Sequence, residues 1–86
     1  MDLRFVNPSR SYDPTRHAVR FWGHDRSMEV SFFVGEDALL RLQPSTAKAG
    51  GFLETFDMHR DRICDVAAKV YGRGPKGSYD IAAADF

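Results

Sequence analysis

The stretch HAVRFWGHDRSMEVSFFVG, residues 17–35, decides the fold of this chain. Two runs rich in β-branched and aromatic residues, 17–23 and 28–34, flank the polar segment 24–27. Such runs are typical of strands, and a short polar segment between them is typical of a turn. The stretch therefore predicts a β-hairpin.

A four-residue turn at 24–27 would fix which residues of the hairpin stand opposite one another. It sets Phe21 opposite Val30 and Val19 opposite Phe32, and all four side chains point to one face. Because side chains alternate along a strand, the opposite face carries a mixed set. Its members are Ala18, Arg20, Trp22, Glu29, Ser31 and Phe33. One face of the hairpin is predicted to be core, and the other is mixed.

The longest regular element is predicted over residues 52–71, as one helix about 30 Å long. Its apolar residues recur at helical spacing and form a single stripe. They are Phe52, Phe56, Ile63, Val66, Ala67 and Val70. A shorter helix is predicted over 36–42, with Glu36 and Asp37 at its positive N-terminal end and Pro44 beyond its last residue.

The remaining elements complete a single domain, residues 1–86. Residues 3–6 predict a short strand, 7–16 a surface loop, and 78–81 a final short strand. We therefore expect an α+β fold in which an antiparallel sheet of three to four strands, in the order β-β-β-α-α-β, carries one short and one long helix on one face. A chain of 86 residues is too short for a second core.

Composition excludes several classes of protein. Apolar residues make up 43% of the chain, so it has enough apolar surface to fold. Its formal net charge is zero, which argues against nucleic acid and against anionic membranes as partners. With one cysteine, no apolar leader and no run long enough to cross a membrane, we expect a soluble, cytoplasmic protein.

A glycine-rich segment at 72–77 matches the spacing G-x-G-x-x-G of dinucleotide-binding loops and contains Arg73 and Lys76. In those loops the pattern follows a strand and opens a helix, whereas here it closes a helix and leads into a strand. We interpret it as a helix cap and connector. Arg73 and Lys76 stay weak candidates for binding an anion, together with His59 and Arg60 on the long helix.

No metal site and no catalytic residue is predicted. The three histidines, His17, His24 and His59, do not share a spacing typical of metal ligands. Cys64 lies in mid-helix without a neighbour that would activate it, so we interpret it as a packing thiol. No cofactor is expected.

The mixed face of the hairpin is the strongest candidate for function. Trp22 and Phe33 would form an apolar patch there, and exposed patches of this kind mark interaction surfaces. The alternative is that the chain covers the patch itself, with Tyr12 of the 7–16 loop packing on Trp22.

One set of residues runs through nearly the whole chain: Phe5, Asp13, the end of the hairpin Phe32-Phe33-Val34, and the helix pattern Phe56-x-x-His59-Arg60-x-x-Ile63-x-x-x-Ala67. In this set the chain resembles a family of short bacterial proteins, domain of unknown function 1488. The resemblance covers nearly the whole chain and implies a single bacterial, cytoplasmic domain. It implies no activity, so no role for His59 or Arg60 follows from it.

Two functions remain open on these observations. The first is a non-enzymatic protein-interaction module that forms a homodimer through the Trp22 and Phe33 face or a free sheet edge. The second is a regulatory protein that binds a small ligand or an anion. An enzyme is not expected, because no spacing suggests a nucleophile or an acid–base pair.

Overall fold

The structure is a computed structural model that describes residues 3–46, 51–74 and 78–86. It confirms the α+β fold, with five strands and three α-helices in the described residues. In chain order the elements are β1 (Leu3–Arg4), β2 (Arg10–Asp13), β3 (Ala18–Asp25), β4 (Met28–Gly35), α1 (Glu36–Leu42), α2 (Phe52–Met58), α3 (Arg60–Tyr71) and β5 (Ser78–Ile81), followed by a 3-10 turn, Ala83–Asp85.

The central hairpin forms as predicted, but its register differs by two residues. Asp25 pairs with Met28, so the turn contains only Arg26 and Ser27, and Phe21 stands opposite Phe32. The tighter turn is possible because Arg26 adopts φ 58°, and a positive φ at this position suits the twist of a two-residue hairpin. A shift of two residues preserves the faces, because side chains alternate with a period of two.

Two short strands lie beside β3. β1 pairs antiparallel with its second half and β2 antiparallel with its first half. The prediction of a loop over 7–16 is therefore wrong for Arg10–Asp13. β2 ends where the Asp13 carboxylate accepts backbone hydrogen bonds from Thr15 at 2.9 Å and Arg16 at 3.2 Å. Pro14 therefore belongs to the turn and does not interrupt a strand.

The last strand, β5, pairs parallel with β4, with Phe32 beside Tyr79 and Val34 beside Ile81. The sheet is thus mixed, and the prediction of a purely antiparallel sheet is wrong. The reason lies in the connection: the chain leaves β4, runs through the helices and returns to the neighbouring position. Such a crossover produces a parallel pair.

The predicted helix over 52–71 is two helices that meet at His59, where φ is −111° and ψ is 19°. No proline or glycine causes the break. The side chains at the break contact distant segments of the chain. His59 Nε2 lies 3.2 Å from Gln43 Oε1, and Arg60 Nη2 donates a hydrogen bond to the Asn7 carbonyl at 2.8 Å. The break therefore accompanies contacts that are distant in sequence.

The core lies between the helices and the sheet face that includes Phe21 and Phe32. The predicted stripe is confirmed for Phe56, Ile63, Val66, Ala67 and Val70, which are buried, while Phe52 is partly buried. In the central strands, the side chains that point toward the helices are buried, because the helices cover that face of the sheet. Burial of these side chains is the main stabilising contribution to the fold.

One polar contact is buried in the core. The hydroxyls of Thr46 and Thr55 lie 2.5 Å apart, and both residues are only 2% exposed.

Thr55→Val leaves the Thr46 hydroxyl without this partner and is expected to lower the free energy of unfolding by about 1 to 2 kcal/mol. The double variant Thr46→Val/Thr55→Val should recover most of that loss, because neither polar group is then left unpaired. Urea denaturation measures the free energy of unfolding of both variants. Additive losses in the double variant would contradict the prediction.

Candidate interaction face

The helices pack on one face of the sheet and leave the other face without a covering helix in the described residues. We call this second face the open face. Its central residues are Ala18, Arg20, Trp22 and His24 from β3 and Glu29, Ser31 and Phe33 from β4. The face carries the mixed set that the sequence predicts, because the register shift left the faces unchanged.

Arginines cover the aromatic residues of the open face. The Arg16 guanidinium lies 4.0 Å from the centre of the Phe33 ring, and that of Arg20 lies 5.0 Å from the Trp22 ring and 5.6 Å from the Phe33 ring. A cation over an aromatic face is attracted by the negative charge of the ring. Phe33 is consequently only 7% exposed, whereas Trp22 is half-buried.

Polar contacts hold these arginines in place. Arg20 Nη2 donates to Ser31 Oγ at 3.1 Å, and Arg16 lies 3.7 Å from the Asp80 carboxylate of β5. Within the described part of the chain, Arg20 Nε is buried without a hydrogen-bond partner. A buried N–H of this kind is costly when unpaired.

Tyr12 does not cover Trp22. It pairs with Val19 and therefore lies on the helix side of the sheet, where its ring stacks on Phe52 at 5.9 Å and its hydroxyl donates to Glu36. Intramolecular cover of the aromatic patch comes from Arg16, at the end of the predicted 7–16 loop, over Phe33 and from Arg20 over Trp22. The alternative of cover by this loop therefore holds in part, with Arg16 in place of Tyr12, and sequence reasoning missed both arginines. The signal that could have found Arg20 is its position two residues from Trp22 in one strand, on the same face.

Of the residues predicted as anion candidates, His59 and Arg60 are neighbours at the start of α3, whereas Arg73 lies apart from them. His59 contacts Gln43, and Arg60 contacts backbone carbonyls and the Phe56 ring, 5.2 Å from its centre. Arg73 lies about 20 Å away at the other end of α3 and donates to Asp85 at 2.9 Å. Lys76 lies outside the described residues.

The family model for DUF1488, described as a protein of unknown function, matches residues 3–82. The chain belongs to the DUF1488 family. A crystal structure of a DUF1488 protein of unknown function from Shewanella loihica PV-4 is similar in fold, with a TM-score of 0.75 and 18% sequence identity over 93% of this chain and 91% of that chain. No curated protein matches the chain.

Charges on the open face of the DUF1488 protein are balanced. Arg4, Arg16 and Arg20 supply three cations, and Asp13, Glu29 and Asp80 supply three carboxylates. Among the described residues, the face therefore has no net charge that would repel another copy of itself. In the described parts of this DUF1488 protein, no helix is long and apolar enough to cross a membrane.

Ionisable groups outside the open face of this DUF1488 protein stabilise its fold. The Arg10 guanidinium donates to Asp57 at 2.8 and 2.9 Å and holds the pKa of that carboxyl below its usual value.

Burial raises the pKa of the Cys64 thiol to about 11, so the thiol is protonated at neutral pH and is a poor nucleophile. Within residues 3–46, 51–74 and 78–86, no three potential metal ligands cluster.

Proposed function

We propose that this DUF1488 protein is a non-enzymatic interaction module that self-associates, with the open face of one copy packed on that of another. The observation that carries the proposal is the half-buried Trp22 on a sheet face that no described helix covers. Tryptophan and arginine dominate the energetics of protein interfaces, and Trp22 and Arg20 lie together here.

The size of the open face agrees with a weak dimer. The two central strands have eight residues each, β2 and β5 have four each, and β1 has two. At about 3.3 Å per residue and about 4.8 Å between strands, each copy offers on the order of 400 Å². The total is then near 800 Å², which is below the size of a stable, specific interface and agrees with a weak, transient one. We therefore expect the dimer to dissociate at micromolar concentrations.

The contacts of the open face also support a second copy as the partner. A twofold interface places the same surface on both sides, so that surface must complement itself. The equal numbers of arginines and carboxylates on the face allow each cation to meet an acceptor of the other copy.

A cytoplasmic setting is part of the same proposal. The single Cys64 is a free thiol, and its half-buried position on α3 suits a reducing compartment. The zero net charge of the chain favours a protein partner over nucleic acid or an anionic membrane. We also propose a bacterial origin, because the DUF1488 family to which the chain belongs includes a protein from the bacterium Shewanella loihica PV-4.

Analytical ultracentrifugation between about 10 and 500 μM tests the proposal. The unchanged protein should show a mass that rises from one chain toward two, whereas Trp22→Glu should keep the mass of one chain, because a buried charge at the centre of the interface is costly. Met58→Glu is the matched control, since Met58 is 70% exposed and lies on α2, away from the open face.

Two outcomes would contradict the proposal. The unchanged protein could keep the mass of one chain at 500 μM, which would exclude self-association. Alternatively, Trp22→Glu could dimerise as well as Met58→Glu does, which would place the interface elsewhere, such as along the outer edge of β5. Thermal unfolding of both variants shows whether each remains folded.

A further inference from the structure

The Arg16 side chain lies across Phe33 on the open face. Its guanidinium is 4.0 Å from the centre of the Phe33 ring, and its Nη1 is 3.7 Å from the Asp80 carboxylate. Phe33 is the strand partner of Arg20 on β3 and of Asp80 on β5, so Arg16 reaches from the β2–β3 turn over β4 to β5. The Phe33 ring therefore lies beneath an ion pair.

The backbone of the β2–β3 turn is fixed at this point, so only the side chain of Arg16 is free to move. The Arg16 amide donates to the Asp13 carboxylate at 3.2 Å, and the carbonyl of the next residue, His17, accepts a hydrogen bond from the Glu36 amide at 3.0 Å. An exposed side chain, by contrast, changes rotamer within nanoseconds. The cover of Phe33 can therefore be removed without any rearrangement of the sheet.

The contacts that hold Arg16 over the ring are weak enough to be reversible. The side chains of Arg16 and Asp80 are 43% and 78% exposed, and their distance of 3.7 Å is close to the limit of about 4 Å for an ion pair. Exposed ion pairs contribute little free energy, and salt screens them. The contact of an exposed cation with an aromatic ring is likewise modest. Covered and uncovered forms of Phe33 are therefore close in free energy.

A second copy of the open face would compete with this cover. Two faces packed together would bury the Arg16 guanidinium between them, and burying a charge is costly. If Arg16 swings aside, the interface instead gains the apolar surface of the Phe33 ring. That ring lies close to Trp22, since the Arg20 guanidinium is within 5.6 Å of the centres of both. Uncovering Phe33 thus enlarges the apolar centre of the face.

We propose that the ion pair of Arg16 and Asp80 is an autoinhibitory latch on the open face. Closed, it covers Phe33 and weakens self-association; open, it leaves the ring to a second copy. This inference rests on the proposed function, because it states how the same face is regulated. Salt opens the latch by screening the pair, so self-association should strengthen as salt rises. Ion pairs between the two copies would produce the opposite dependence on salt.

Asp80→Asn removes the carboxylate that holds Arg16 and is the decisive variant. An exposed ion pair shifts an equilibrium by a few-fold at most and a dimer opens two, so the dissociation constant should fall about three- to tenfold. Its dependence on sodium chloride between about 0.05 and 0.5 M should also diminish. Charge alone predicts a weaker dimer, since the face gains one net positive charge. Asp65→Asn, which removes an exposed carboxylate from α3, is the matched control and should keep the affinity and salt dependence of the unchanged protein.

Analytical ultracentrifugation measures these dissociation constants, and the NMR signal of the Arg16 Nε–H group reports the latch itself in dilute, monomeric protein. The current of the Phe33 ring shifts a proton above its face upfield, so both salt and Asp80→Asn should move this signal toward that of free arginine. A signal that responds to neither would overturn the latch. So would a moved signal with a dimer no tighter in Asp80→Asn than in the unchanged protein.

The failure of the proposed function gives a different result. In that case neither the unchanged protein nor Asp80→Asn forms a dimer, although the Arg16 signal moves as expected; the inhibitory role is then overturned together with self-association, and only the cover of Phe33 stands. A dimer formed by Asp80→Asn alone would support the latch most directly.

Discussion

Replacing Phe32 with alanine is expected to lower the free energy of unfolding by about 3 to 5 kcal/mol. Phe32 is fully buried, and its ring centre lies 5.4 Å from that of Phe21, 5.5 Å from Tyr79 and 5.6 Å from Phe5. The variant loses these contacts and leaves a cavity where β1, β3, β4 and β5 meet. For a domain of this size the loss is a large share of the total stability.

Guanidinium denaturation followed by circular dichroism measures the effect of Phe32→Ala. Met28→Ala is the control, because Met28 lies on the same strand and is 57% exposed, so its loss should stay within about 0.5 kcal/mol. A loss below about 1 kcal/mol for Phe32→Ala would show that the aromatic cluster is not the centre of the core.

Gly23→Val is expected to cost about 2 to 3 kcal/mol, although valine is a better strand residue than glycine. A Cβ at this position would stand 3.0 Å from Leu3 Cδ1, 3.0 Å from Phe5 Cε1 and 3.2 Å from Phe32 Cε2. These distances are shorter than ordinary van der Waals contact, so the three side chains must move to admit a Cβ, and the valine methyls need still more room. β1 has only two residues and should be displaced first.

A second glycine provides the control. Gly72 has φ −66°, and a Cβ there would lie 3.5 Å or more from its neighbours, so Gly72→Ala should be neutral or stabilising by up to about 1 kcal/mol. Thermal unfolding compares the two variants, and the amide spectrum of Gly23→Val should show changes at Leu3 and Phe5. An unchanged midpoint for Gly23→Val would contradict the close packing of β1.

The sequence predicted the faces of the sheet better than its pairing. Phe21 and Phe32 reach the core side under either register, because alternation depends only on the parity of the residue number. The length of the turn depends on the φ of Arg26, and nothing in the identity of an arginine indicates a positive φ. Register was therefore the less predictable property.

The direction of β5 and the break at His59 depend on tertiary contacts. A four-residue strand has the same pattern whether its partner runs parallel or antiparallel. Likewise, the helix break has no proline or glycine, and His59 is held by Gln43 of a separate segment. Local preference carries no information about either feature.

The parts of the candidate sites also differed in how well spacing along the chain could predict them. The aromatic residues Trp22 and Phe33 could be placed on one face from spacing alone, whereas the cover by Arg16 comes from a turn that folds over a neighbouring strand.

Parallel pairing of β4 and β5 has a consequence for the kinetics of folding. The β3–β4 hairpin closes a turn of two residues, but β5 can pair only after the intervening helices have brought it back to β4. Contacts between segments so distant in sequence carry a larger loop-closure cost and slow the search for the native state. Until β5 docks, the edge of β4 that holds Phe32 and Val34 is unpaired. An intermediate lacking β5 is therefore the species in which aggregation through a strand edge would begin.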